Sequence, residues 1–189
     1  MRKLLLALSL IVGLVPLRAV ADPTAWTVDH EKSSVTFEFI EAGKSKVGAF
    51  DMYQASIAFD PEKPESASAS ISVETASISL NDVMREGVLM TVPWFNSERF
   101  PVASFRLTGL RPLADGRYLA SGFLRIKGVE LPVQPTISLS IKGQNARATG
   151  TVEIERTKFR LRDALLESVV SIGDKVTIGF DLVATVDLK

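Results

Sequence analysis

The chain has 189 residues, 46% of them apolar, with 22 basic residues, 22 acidic residues, one His and no Cys. That length can bury enough surface for one stable core without disulfides. Balanced charge excludes a binder that works by neutralising phosphates, and one His with no Cys excludes a transition-metal site of ordinary composition.

Arg2 and Lys3 precede an almost unbroken apolar run from Leu4 to Leu17. Ala19-Val20-Ala21 then offers small residues at the positions a signal peptidase reads. Residues 1–21 are therefore expected to be a secretory signal peptide, and residues 22–189 the mature domain. The run is too short for a permanent anchor, and no Cys follows it to carry a lipid. Cleavage would remove Arg2, Lys3 and Arg18 but no acid, leaving a mildly acidic domain. The expected location is the periplasm, with no nucleic-acid partner and no stable membrane insertion.

From there the pattern has a period of two, which predicts strands. Alternating runs occur at Val35-Phe37-Phe39, Val47 to Phe59, Ala69-Ile71-Val73, Ala103-Phe105-Leu107, Arg117 to Ile126, Ile137-Leu139-Ile141 and Ala146 to Ile154. The clearest is the last, where Val176, Ile178, Phe180, Leu182, Ala184, Val186 and Leu188 share one face. Turn chemistry separates the runs at Asp60-Pro61, Asp115-Gly116, Lys142-Gly143 and Gly173-Asp174. Two segments break the alternation. Ser79 to Val92 predicts one or two helical turns with Asn81-Asp82 as cap, and Arg162 to Val170 predicts a short helix.

About eight strands with one or two short helices predict an all-β fold, an antiparallel, lipocalin-like β-barrel. Its inward face mixes Phe37, Phe39, Phe50, Phe59, Phe105 and Phe180 with Ala55, Ala69, Ala103 and Ala184. Pattern alone leaves two readings open: large residues fill the space opposite the small ones, or a slot remains for a slim ligand. His30, beside Asp29, has no Cys, second His or nucleophile elbow to complete a constellation, so it is expected to help cap a barrel end.

Several motifs converge in order along the chain: Trp26-Thr27-Val28-Asp29, Ser33 to Phe37, Val47-Gly48-Ala49-Phe50, Ile57 to Pro61, Ala76-Ser77-Ile78, Trp94-Phe95-Asn96 with Phe100-Pro101, Gly122 to Val129 with Pro132-Val133, Arg156 with Phe159, and Gly173 to Val176. In this set the chain resembles the YceI-like family of periplasmic, lipocalin-like proteins that bind polyisoprenoids. It departs from the family pattern in three places. No His follows the first strand near Ile40 to Gly43, Arg85 is followed by Glu86-Gly87, and Leu161 to Ser171 is unlike the common form.

The resemblance implies a binding protein, not an enzyme, that holds an amphiphilic small molecule by its long apolar tail. The only cofactor it implies is a bound lipid: a polyisoprenoid, a quinone tail or a fatty-acid derivative, with a role in stress response. It places Phe37, Phe39, Phe50 and Ile57 in the tunnel wall, with Ile71, Val73, Phe105 and Phe180. Trp94 and Phe95 would cover one end, and Arg85 and Arg156 would meet a polar head. An enzyme acting on such a lipid through His30 or Arg85, a ligand-free interaction module, and pairing into a homodimer all remain open at this point.

Overall fold

The computed structural model describes residues 24–186. The expected signal peptide lies outside the described residues. Among those residues the chain forms twelve strands and two short α-helices. In chain order they are β1 (Ala25–Val28), β2 (Ser34–Glu41), β3 (Lys44–Phe50), β4 (Tyr53–Ala58), β5 (Ser68–Glu74), β6 (Ile78–Ser79), α1 (Val83–Met90), β7 (Val102–Pro112), β8 (Tyr118–Ile126), β9 (Val129–Val133), β10 (Thr136–Lys142), β11 (Asn145–Glu155), α2 (Ala164–Glu167) and β12 (Ile172–Thr185).

Every pairing is antiparallel, and eight strands close a ring in the order β1-β4-β5-β7-β8-β10-β11-β12, with β12 returning to β1 through Thr27↔Thr185 and Val28↔Ala184. Closure leaves no free edge in that ring. The other four strands extend the wall. β2 continues β1 past a 3-10 turn at His30–Lys32 and pairs with the opposite end of β12; β3 and β6 follow outward from β2, and β9 runs beside β8. The barrel of about eight strands is thus present, and both helices lie where the breaks in alternation put them.

One expected strand is divided. The run from Val47 to Phe59 breaks into β3 and β4 at Asp51–Met52. There the Asp51 N–H donates to the Ser77 carbonyl at 3.0 Å and the Met52 N–H donates to Ser77 Oγ at 3.0 Å. Alternation is blind to such a corner, because its partner lies on a distant segment. His30 sits in the turn between β1 and β2, exposed, with its ring 4.8 Å from that of Tyr53.

Three inward aromatic rings lie flat on the wall instead of pointing across the axis. Each covers a glycine on the neighbouring strand. The Phe37 ring lies over Gly48, Phe105 over Gly122, and Phe180 over Gly150. A Cβ on Gly122 would meet the Phe105 ring and the Arg106 carbonyl oxygen, both at 2.5 Å. Backbone cannot yield as a flexible side chain can. Gly122→Ala is therefore expected to lower the unfolding free energy by about 1–3 kcal/mol, as overpacking does, measured by urea denaturation.

Candidate functional site

The barrel encloses a cavity of about 560 Å³, within the roughly 300–1,000 Å³ range of small-molecule sites. Its length follows from β12, which contributes lining residues from Ile172 to Ala184. At about 3.3 Å per residue, and with a strand tilt of roughly 40°, that span projects to about 30 Å along the axis. The site is a tube and not a bowl.

The twelve residues expected to form the site all line this tube. Phe37 and Phe39 come from β2, Phe50 from β3, Ile57 from β4, Ile71 and Val73 from β5, Phe105 from β7 and Phe180 from β12. Trp94 and Phe95 follow α1, Arg85 lies on it, and Arg156 follows β11. Phe39, Ile71, Phe105, Val176, Ile178 and Phe180 face inward yet stay partly accessible. An inward side chain that a water-sized sphere still reaches has empty space beside it, which a packed core lacks.

Laying the rings over glycines explains the vacancy locally: Phe37, Phe105 and Phe180 fill wall volume instead of lumen. Phe50 packs edge-on against Phe95 with ring centres 5.9 Å apart, and Phe37 lies 5.4 Å from Phe50. Trp94 is only 4% exposed and closes the wall beneath α1. At the other end, Phe59 meets Tyr118 edge-on, with ring centres 6.1 Å apart, and its carbonyl accepts from Trp26 Nε1 at 3.2 Å.

Charged groups are few and sit near the helices. The lining reaches the surface at α1, where Met84 is 83% exposed. Arg85 stands at this mouth between two carboxylates, with Nη2 3.0 Å from Glu41 Oε2 and a second contact to Asp82. Asp82 also caps α1 by accepting from the Arg85 N–H at 3.2 Å. Hydrogen bonds from Arg85, backbone and side chain, hold the Asp82 carboxyl below the usual carboxylate range. The Arg85 guanidinium is in turn raised by its hydrogen bonds to Glu41 and Asp82.

Arg156 has a different environment, although both arginines touch the tube. It is 5% exposed. Its Nε donates to the Gly173 carbonyl at 2.8 Å and Nη2 to Ile172 at 2.9 Å. Nη1 donates to the Leu161 carbonyl at 2.7 Å and to Glu167 Oε1 at 2.8 Å. The guanidinium also lies 5.3 Å from the Trp94 ring centre. These bonds tie β12, the segment before α2 and α2 itself to the mouth. Lys127 adds a parallel tie, donating to the carbonyls of Pro93 and Arg160, each at 2.8 Å.

Sequence reasoning missed the helical part of the lining, namely Met84, Val88 and Leu89 of α1 and Leu166 and Val170 in and after α2. It also passed over Ala146 and Ala148 as lining positions, although their alternation with Leu139 and Ile141 across the β10–β11 pair carried the signal. Of the four inward alanines expected, Ala69, Ala103 and Ala184 line the tube, while Ala55 packs in a small cluster with Val28, Leu182 and Ala184. Among the described residues no group of three His, Cys, Asp or Glu side chains could hold a metal, and no helix is long and apolar enough to cross a membrane.

Comparisons with known proteins place this geometry. The model of the YceI-like domain matches residues 26–184. BcnA of Burkholderia cenocepacia, known from a crystal structure, is 30% identical, with a TM-score of 0.78 over 84% of this chain and 99% of that one. A polyisoprenoid binding domain from Saccharophagus degradans, implicated in plant cell wall breakdown, is 15% identical and shares the fold, with a TM-score of 0.68 over 87% of this chain and 99% of that one. A UPF0312 protein of Shewanella baltica is 28% identical over 166 residues, covering 82% of this chain and 84% of its own.

Proposed function

Because the chain belongs to the YceI-like family, with the domain spanning residues 26–184, we propose that it is a binding protein that holds a long apolar chain inside the barrel. One observation carries this reading: a long cavity of about 560 Å³ whose wall is aliphatic and aromatic, with its charged groups confined to the helical end. Candidate ligands are polyisoprenoids, quinone tails and fatty-acid derivatives. The fold shared with a domain named for polyisoprenoid binding supports the first of these.

The energetics suit such a cargo. Burying a methylene gains about 0.8 kcal/mol before ordering costs, and large ligands still retain roughly 0.3 kcal/mol per heavy atom. A chain of about forty carbons would then bind with about 12 kcal/mol, a nanomolar affinity, without a polar contact. In this reading the tail fills the tube and Arg85 meets the head at the mouth. Arg156, whose N–H groups already serve protein acceptors, supports the wall around Trp94.

The protein acts as a periplasmic carrier or store that keeps the chain from water, in service of a stress response. Export rests on the signal-like pattern from Arg2 to Ala21. Binding without catalysis is favoured because His30 lies outside the cavity lining. Native mass spectrometry of protein purified from its exporting host tests the proposal. The expected spectrum carries an added mass equal to one lipid. A protein that stays bare after incubation with polyprenols, quinones and fatty acids overturns it.

A further inference from the structure

The mouth of the tube is rimmed by three short elements held to one another. Glu41, at the end of β2, pairs with Arg85 of α1 at 3.0 Å. The next residue, Ala42, donates its N–H to the Ser171 carbonyl just beyond α2 at 2.8 Å. The β2–β3 hairpin tip therefore sits between α1 and the α2 segment. Both helical segments send apolar side chains into the tube, Val88 and Leu89 from one and Leu166 and Val170 from the other.

The same segments also present large apolar side chains to the outside. Val83 is 83% exposed, Leu165 84% and Val169 78%, and Met84 belongs both to the lining and to the surface. A surface helix ordinarily turns polar residues outward. Here apolar side chains line the tube, cover the rim beside the Glu41–Arg85–Asp82 cluster and continue onto the outer surface. The rim's acids are all engaged from within the protein. Glu41 and Asp82 hold Arg85; Glu86 accepts the N–H groups of Leu80 and Asp82; Asp163 caps α2; Glu167 holds Arg156 and Arg162. The hairpin tip carries an exposed Lys44.

We propose that this rim is a docking surface for a lipid bilayer, on which α1, α2 and the β2–β3 tip settle while the apolar chain passes between membrane and tube. The inference rests on the binding function proposed above. The cargo itself argues for lipid over protein as the occupant. A long apolar chain released into water is disfavoured by about fourfold for each methylene exposed, so direct contact removes the dominant barrier. The outward apolar residues are Val83, Met84, Leu165 and Val169, with none of the Trp or Tyr side chains enriched in protein hot spots. Internally paired acids also suit an interface with the headgroup region.

The test uses protein produced from the full sequence in an exporting host, with a fluorescent polyprenol preloaded and phosphatidylcholine vesicles as acceptor. The transfer rate is expected to rise with vesicle concentration. A variant carrying Val83→Ser, Leu165→Ser and Val169→Ser is expected to transfer about tenfold more slowly at one vesicle concentration. It should load equally well, because none of the three residues lines the tube. A rate independent of vesicle concentration, or an unchanged rate in the variant, overturns the proposal.

A second measurement does not need the ligand. The chain has no Cys, so Leu165→Cys can carry a polarity-sensitive dye alone. Its emission should shift to the blue on adding vesicles, while the same dye at Glu62→Cys, in the exposed loop after β4, should not shift. If the polyprenol fails to load but the Leu165 dye shifts, the binding function fails and the docking surface stands. No shift at Leu165 overturns the docking surface whatever the loading result.

Discussion

Arg156→Ala is expected to lower the unfolding free energy by about 3–5 kcal/mol, the range for removing one partner of a buried, hydrogen-bonded pair. The residue is 5% exposed and serves three carbonyls and one carboxylate. Truncation leaves the Leu161, Ile172 and Gly173 carbonyls and the Glu167 carboxylate short of a donor. Urea denaturation measures the loss. Arg156→Lys should recover only part of it, because an ammonium cannot span the same acceptors with a planar fork.

The share carried by Glu167 depends on pH. Burial pushes its carboxyl upward, but hydrogen bonds and charge from Arg156 and Arg162 outweigh burial and hold it below the ordinary glutamate range. A carboxyl with a lowered folded-state value stabilises the fold above its unfolded value and loses that effect as pH falls through the lowered one. The difference between the parent protein and Arg156→Ala should therefore narrow in acid below the carboxylate range. An equal difference at neutral pH and in strong acid would show that the Glu167 pair contributes nothing.

Ala148→Phe is expected to raise the dissociation constant for a polyprenyl chain by about tenfold. Ala148 lines the tube and is only half-buried, paired with Leu139 on β10 and Leu182 on β12. A ring there would project into empty space and exclude roughly five methylenes, or about 1.5 kcal/mol net of ordering costs. The fold should be barely affected, by less than about 1 kcal/mol, since the space is already vacant and no close packing is disturbed. Thr149→Phe adds the same bulk on the opposite face of the strand and should leave affinity unchanged. Fluorescence titration with a labelled polyprenol measures both variants. Equal affinity in Ala148→Phe and the parent protein would place the ligand elsewhere.

Alternation along the strands made the barrel wall legible, because a period of two assigns a face to each residue without any knowledge of its neighbours. Phe37, Ile71, Phe105 and Phe180 could be assigned to the inward face on that ground alone. Vacancy could not be read the same way. It depends on which residue stands across the strand from each ring, and Phe180 opposite Gly150 is a fact of register between β11 and β12. Arginines were equally opaque. Arg85 and Arg156 look alike in sequence, yet one stands at an open mouth between two carboxylates and the other is enclosed by carbonyls. A short helix was expected over Arg162 to Val170, but four residues, Ala164–Glu167, are too few to decide which of its apolar side chains turn inward, so the lining from α2 was missed.

The last strand is shared by the first two, since β12 pairs with β1 near its end and with β2 along most of the rest. β1 also pairs with β4 and β2 with β3, but the second edge of each stays open until β12 has been synthesised. Contacts between such distant stretches make assembly slow. A ribosome-bound fragment lacking β12 thus cannot complete the ring, and the nascent protein holds an open sheet until that strand has emerged.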